Sequence, residues 1–480
     1  MSLFIGELTN AMNRLLRTST RATVRFPFIG SDKLIYAMDG VSKYMLHCIM
    51  KLEGSLHRQY LAQAIDFALE RSPILKSIAR LRNFASYWEV VHDLTPHPIL
   101  TVRDLSAERD VERAAADVIE GCINDDIDIT QTPPARFFLI LLAEERSVFI
   151  VKVHHCALDP MGLFHLIEDV QEAYGKLLRG DPLPPVGEMA DRSRKRLFRN
   201  VSPILFCRVI AEALLQRVGK PRPQQRCFVQ FSNPTPTDTI AYRSLIFRES
   251  DYAALRARCR SLGVTANELV MAALCRAIRQ WNGRSERTDG VYSIVMPVDL
   301  RRYVRQGGKV PRIMASFIGG SLVTIPVAAV TTFEATIDYV TKETRFIKDH
   351  HLGLLANLGF PLLYFIPPRW LRQMARRHYE RDPGKSVPTS VFAYLGKIDR
   401  ALSSFPGCPI IGIEGVGTSF YPVGLDVVVN IYERMQTVTV TYPKDACSEA
   451  EMAQFMALYS EEILPKRLDP IELNVEARKA

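Results

Sequence analysis

HHCALDPMG, residues 154–162, closes one apolar run and opens an amphipathic one. Ahead of it, RFFLILLAEERSVFIVKVHH is rich in β-branched and aromatic residues. It predicts two strands, Arg136 to Leu142 and Val148 to His154, joined by a short polar turn. Their near-continuous apolar character implies a sheet covered on both faces. Behind the nonapeptide, Leu163, Leu166, Ile167, Val170, Tyr174 and Leu177 recur three and four apart, which predicts a long helix packed on one side from Leu163 to Leu178. Strand side chains alternate between faces, so His154 and His155 cannot share a target unless the strand has already ended, and one of the two is expected to be functional. A neutral imidazole can take a proton from a hydroxyl or an amine near pH 7 and so sharpen it as a nucleophile. Structural roles account for the same residues: Asp159 followed by Pro160 is also an N-cap with a proline at N1, and His154 fits a core histidine. A metal site would need a third and a fourth ligand that the stretch does not supply, so no metal is expected.

Working outward, apolar positions from Leu56 to Leu69 predict a helix that Ser72-Pro73 ends. Two Pro-rich, charged stretches follow the central motif, Gly180 to Arg196 and Gly219 to Thr239. The second is the candidate boundary, dividing the chain into residues 1–219, a linker at 220–239, and residues 240–480. Beyond it, two consecutive helices are broken at Gly263 and restarted by a capping box, Thr265 with Glu268. VYSIVMPVDL and GSLVTIPVAAV predict strands, and Thr332 to Lys348 a helix. VGLDVVVNIYERMQTVTVTYP predicts a hairpin turning near Glu433, and Ser448 to Leu464 a last helix. No fixed-period repeat is present, which argues against a solenoid.

With 480 residues the chain exceeds what one core usually spans, so two domains of roughly 200 residues are expected. At 47% hydrophobic and 24% charged, its composition excludes wholesale disorder, collagen and coiled coil. Lys plus Arg number 61 against 52 Asp plus Glu, and the net charge of +9 favours anionic partners such as phosphorylated cofactors, acidic carrier proteins or anionic lipid. The basic residues form short clusters, Arg192, Arg194, Lys195 and Arg196, then Arg369, Arg372, Arg376 and Arg377. Neither an aromatic RNA-binding motif nor a zinc-finger spacing occurs, so nucleic acid is not an expected partner. Nine scattered cysteines without a Cys-x-x-Cys point to a reducing cytosol, and residues 1–22 lack the uninterrupted apolar core of a secretory signal; a cytoplasmic protein is expected. The stretch from Leu352 to Pro368 is interrupted by Asn357, Gly359 and Pro361, which predicts a buried or interfacial segment rather than a membrane span. Joined to the arginines that follow, its alternative role is peripheral contact with a membrane.

Several segments in order resemble the chloramphenicol-acetyltransferase-like superfamily, which includes condensation domains of nonribosomal peptide synthetases, wax ester synthase/diacylglycerol acyltransferases, and polyketide-associated and alcohol acyltransferases. LAQAIDFALERSPIL is similar to the first helix and its trailing Pro-containing signature, TPPARFFLILL to the strand before the histidines, and HHCALDPMG to the HHxxxDG motif. GVTANELVMAALCRAI, MPVDLRR and SFIGGSLVTIPV resemble, in that order, the helix and two strand segments of the second half.

The resemblance implies an α/β fold of two chloramphenicol-acetyltransferase-like domains, each a mixed sheet with flanking helices. The domains face across a central tunnel that donor and acceptor enter from opposite sides. It implies that His155 is catalytic, that His154 is mainly structural, and that Asp159 turns away from substrate and pairs with an arginine, for which Arg301 is the candidate. Ser316, or backbone N–H groups near Gly319, are the candidate oxyanion donors. The implied activity is that of a stand-alone acyltransferase moving an acyl group from coenzyme A or an acyl carrier protein to a hydroxyl or amine. No cofactor beyond that co-substrate is expected. A catalytically inactive module that recruits a carrier protein or partner is the alternative, and a metal-dependent hydrolase ranks third. Two departures stand out: Pro160 replaces the family's glycine after the aspartate, and Ala393-Tyr394-Leu395-Gly396 stands where many relatives carry Ser-Asn-Leu-Gly.

Overall fold

In the first half of the chain, the computed structural model runs β1 (Arg25–Pro27), α1 (Gly30–Met38), β2 (Met45–Glu53), α2 (Arg58–Arg71), β3 (Ser77–Arg80), β4 (Tyr87–Val90), β5 (Leu100–Asp104), α3 (Val111–Asn124), β6 (Ala135–Leu141), β7 (Arg146–His154) and α4 (Pro160–Arg179). Short helices α5 (Lys195–Asn200) and α6 (Pro203–Arg217) lead into β8 (Ile240–Phe247), α7 (Glu249–Leu262), α8 (Ala266–Asn282), β9 (Val291–Asp299), β10 (Ile318–Pro326) and α9 (Phe333–Asp349). The chain ends with α10 (Pro368–Arg381), α11 (Pro383–Ser386), β11 (Ser390–Lys397), β12 (Ile410–Val416), β13 (Leu425–Tyr432), β14 (Met435–Pro443) and α12 (Glu449–Ile463). The structure describes residues 24–465 apart from 84, 188–190, 218–224, 234–238, 284–286, 305–309, 360–362, 364, 399–401, 403 and 419–423. The leader question at 1–22 and residues 220–224 and 234–238 of the expected linker therefore lie outside the described residues.

The strands form one five-stranded sheet of order β12-β2-β7-β6-β5, one six-stranded sheet of order β10-β9-β11-β13-β14-β8, and a small sheet of order β1-β4-β3. Both large sheets are mixed: β5 runs parallel to β6, and β11 parallel to β9 and β13, while the other pairings are antiparallel. The apolar run before His154 is buried on both faces, as its composition demands. Phe137, Phe149, Val151 and Val153 pack with Leu61 of α2 and Leu166 of α4, whereas Ile140 and Ile150 pack with Ile119 of α3. The predicted helix break also holds: Gly263 takes φ +65°, which favours glycine, and Thr265 and Glu268 make the capping box of α8. Glu433 turns the β13–β14 hairpin at φ +51°.

Segments are exchanged across the expected division at 219–240. Leu197, Val201 and Val209 from α5 and α6 join the core of the second half, built on Val427, Val429 and Val440 with Leu269 and Phe455. In return, β12 leaves the second half and pairs antiparallel with β2, bringing Ile410 and Ile413 into the first core. Each such fully buried aliphatic side chain contributes about 1.5–3 kcal/mol, so the exchange fastens the halves together. The stretch after α9 becomes a 3-10 segment, Leu352–Gly359, with Leu352 and Leu354 buried in the second core. Among the described residues, no single helix is long and apolar enough to cross a membrane.

Candidate active site

β7 ends at His154, so the two histidines are separated by the start of a turn rather than by strand alternation. The turn is held by backbone: His155 N–H donates to the Tyr44 carbonyl at 2.9 Å, and Ala157 N–H to the His154 carbonyl at 2.9 Å. His154 is 1% exposed. Its Nδ1 accepts from Cys156 N–H at 3.2 Å, so the ring proton sits on Nε2, which faces Asp39 Oδ1 at 3.5 Å. Burial alone would raise the Asp39 carboxyl, but the hydrogen bond with His154, with Tyr44 N–H and Arg372, brings it below its usual value. His154 is thus a fixed structural element beside the turn.

His155 differs in being partly exposed. Its Nδ1 is buried without a hydrogen-bond partner. Burial among its neighbours pushes the imidazole below its usual pKa, and the Asp159 charge and nearby backbone offset this only in part. The neutral ring is therefore the prevailing form around pH 7, as a proton acceptor requires.

Asp159 is fully buried and receives four donors. Oδ1 accepts from Gly162 N–H and Arg301 Nη2, each at 2.9 Å; Oδ2 accepts from Arg301 Nη1 at 2.8 Å and Phe317 N–H at 2.7 Å. Arg301, itself fully buried, also donates to the carbonyls of Ile313 and Ala315 and to Asp299. Burial would raise the Asp159 carboxyl, but the Arg301 guanidinium and the two N–H groups hold it below the usual carboxylate range. A planar, bidentate pair with its remaining lone pairs satisfied is the geometry in which a buried ion pair can hold. Asp159 simultaneously caps α4, with Pro160 at N1. The proline in the glycine position is accommodated because the helix begins there and needs no N–H at N1.

Two buried arginines add to this frame. Arg192 donates to the carbonyls of Met314 and Ala157 and pairs with Asp32, and Arg194 donates to the carbonyls of Ser316 and Ile318. Within the basic cluster at 192–196, these two arginines are interior braces between the histidine turn and the entry to β10. Ser316 is 1% exposed, and Gly319 already lies in the β10–β9 ladder opposite Val298. Among the described residues, no hydrogen bond joins Ser316 to His155. The structure brings Asp159, Arg301 and the residue after Ser316 together, and places His154 behind His155.

Between the halves lies a small apolar cavity of about 40 Å³, lined by Leu46 and Cys48 of β2, Pro160 and Phe164 of α4, Leu395 of β11 and Val428 of β13; His155 is not among its lining residues. Leu395 reaches it at a register shift in β11, where Gly396 takes φ +70°. The crossover strand allows the sheets this close through its glycines. A Cβ at Gly415 would stand 2.8 Å from Val428, and one at Gly417 2.3 Å from the Asp426 carboxylate.

Tyr44 and Asp426 were not singled out by the sequence. The Tyr44 ring lies 6.4 Å from that of His155, and Asp426 is one of the charges acting on Tyr44. Asp426 Oδ2 accepts from Thr418 N–H at 3.0 Å, Oδ1 is buried without a partner, and burial pushes the carboxyl up to about 7. A carboxyl inside a β-branched strand was the available signal. With the folded value above the unfolded one, Asp426 favours the fold at low pH and costs stability as pH rises from about 4 to about 7. Asp426→Asn retains the Thr418 bond without the charge. The variant should gain on the native protein across that interval and level off above it, by about 2 kcal/mol once water entry is allowed for. Urea melts at pH 5 and pH 8 check this; a difference independent of pH would refute it.

Two mixed sheets joined by a crossover strand, with the HHxxxD turn braced by an arginine from the other half, make up the chloramphenicol-acetyltransferase-like fold. Residues 36–189 match the family described as "Condensation domain". A plipastatin synthase protein of Bacillus subtilis (strain 168) is 25% identical over 153 residues, 31% of this chain and 6% of that protein, so the chain corresponds to a small part of such a synthase. Trichothecene 15-O-acetyltransferase of Fusarium sporotrichioides superposes with a TM-score of 0.66 at 13% identity, covering 94% of this chain and 97% of that one. The starter condensation domain of rhizomide synthetase, solved with C8-CoA and Leu-SNAC, gives 0.63 at 14% identity over 94% and 97%. At such identities the likeness is one of fold.

Proposed function

We propose that the protein is an acyltransferase that moves an acyl group from a thioester, acyl-CoA or an acyl carrier protein, to a hydroxyl or amine acceptor, with His155 as general base. The observation that carries this is the partly exposed His155 on a turn clamped by the fully buried Asp159–Arg301 pair. Nε2 of His155 takes the acceptor's proton as its oxygen or nitrogen bonds to the thioester carbonyl carbon. The tetrahedral intermediate then collapses with loss of the carbon–sulfur bond, and the proton passes from the imidazolium to the departing sulfur. A named 15-O-acetyltransferase and a condensation domain holding an acyl-CoA among the neighbours support the same chemistry.

The test is mass spectrometry of products from a panel of acyl-CoA and carrier-bound thioesters mixed with alcohols and amines, with released thiol measured in parallel. Acylated acceptor and free thiol should form in equal amounts. Thiol release without an acylated acceptor would make the protein a hydrolase, and binding without release across the panel would make it a recruiting module.

A further inference from the structure

α10 presents a face that the transfer chemistry does not use. Leu371, Ala375 and Tyr379 are half-buried, and the helix packs on α1. On the same inner side, the Arg372 guanidinium lies 4.9 Å from the Tyr36 ring centroid and 3.6 Å from Asp39. On the outer side, Trp370 is 67% exposed and Met374 59%, and Phe365 just ahead of the helix is 73% exposed. Trp370, Met374, Arg377 and Arg381 follow at spacings of four, three and four, so they form one outward stripe. Arg369 and Arg376 are exposed beside it. The helix carries five arginines against one acid, Glu380, which pairs with Arg376 at 2.7 Å.

A second exposed apolar face stands nearby in the fold. α6 packs on the 3-10 segment at 352–359 that leads into α10, and it exposes Ile204, Ile210 and Leu214. Large apolar side chains on a surface with no partner over them mark an interaction site.

We propose that the outward face of α10, with Phe365, docks the protein on an anionic lipid surface. Trp and Phe rings settle at the headgroup level of a bilayer, and arginines beside them gain from anionic headgroups. A protein partner fits this face less well. Specific protein interfaces bury more than about 1,000 Å² and seat their anchors in pockets, whereas here two apolar tips are followed by two cations along a single helix face. A deformable interface accepts each tip separately. The inner side of α10 touches Asp39, which holds His154, so docking brings the histidine turn close to the bilayer.

The experiment is co-sedimentation of the full chain with phosphatidylcholine vesicles, with and without phosphatidylglycerol, at low and high salt. Binding should require the anionic lipid and weaken with salt. Arg377→Ala with Arg381→Ala should lower the partition coefficient about 25-fold, at about fivefold for each arginine. Trp370→Ala with Met374→Ala should lower it about tenfold or more. Tryptophan emission should shift blue on binding and lose that shift in Trp370→Phe, because Trp88 is buried and Trp281 donates to the Gln230 carbonyl. All of these side chains are on the outer face, so unchanged melting of the variants checks that they fold. Equal binding to neutral and anionic vesicles, no binding, or binding untouched by both double variants would overturn the proposal. Capture of an acidic protein by this face in place of vesicles would overturn it equally.

Discussion

His155→Ala will lose about 10²–10⁴-fold in kcat while melting like the native protein. The range is that of a positioned general base whose removal leaves substrate binding and positioning in place. Melting should be unaffected because the ring is partly exposed and its Nδ1 has no hydrogen bond to lose. The same ring sets a pH signature. Its pKa is lowered by burial, so the acid limb of kcat/KM should have its midpoint below the usual imidazole value of about 6.5, with activity rising as the ring loses its proton. Steady-state rates on the thioester panel from pH 5 to pH 9 measure both effects. A well-folded variant with undiminished turnover removes His155 from the mechanism. A midpoint well above the free imidazole value would contradict the buried environment seen around the ring.

Arg301→Ala will lower stability by about 3–5 kcal/mol, because it leaves the Asp159 carboxylate buried without its countercharge. Arg301→Lys will recover only part of the loss, since one ammonium cannot reproduce the two parallel bonds to Asp159 and also reach the Ile313 and Ala315 carbonyls. The pair also sets an acid limit. With the folded Asp159 pKa below the unfolded value, its contribution is present above about pH 4 and fades as pH falls through the folded value. Urea midpoints for the native protein and both variants at pH 7 and pH 3 test this. Arg301→Ala melting within a few tenths of a kcal/mol of the native protein would show that the pair does not hold the turn.

The motif strands, the long helix after them, the capping box at Thr265 and the hairpin at Glu433 were legible because local patterning carries each of them. The Asp159–Arg301 partnership was reached through resemblance, and its four-donor geometry was not, because Phe317 and Gly162 come from opposite halves of the chain. The sequence marked Arg192 and Arg194 as part of a basic cluster without placing them. A basic run looks alike whether it faces water or backbone carbonyls, and only packing distinguishes the two.

What the sequence determined by itself was the strand–turn–helix around HHCALDPMG, its N-cap and N1 proline, and the mixed α/β character of both halves, all set by periodicity and by residues that restrict their own backbone. Tertiary structure alone decided that β12 crosses to pair with β2, that Gly415 and Gly417 let Val428 and Asp426 approach it, and that α10 turns Trp370 outward. These depend on which distant surfaces meet, and side-chain pattern within a segment fixes its faces without naming the partner that covers them.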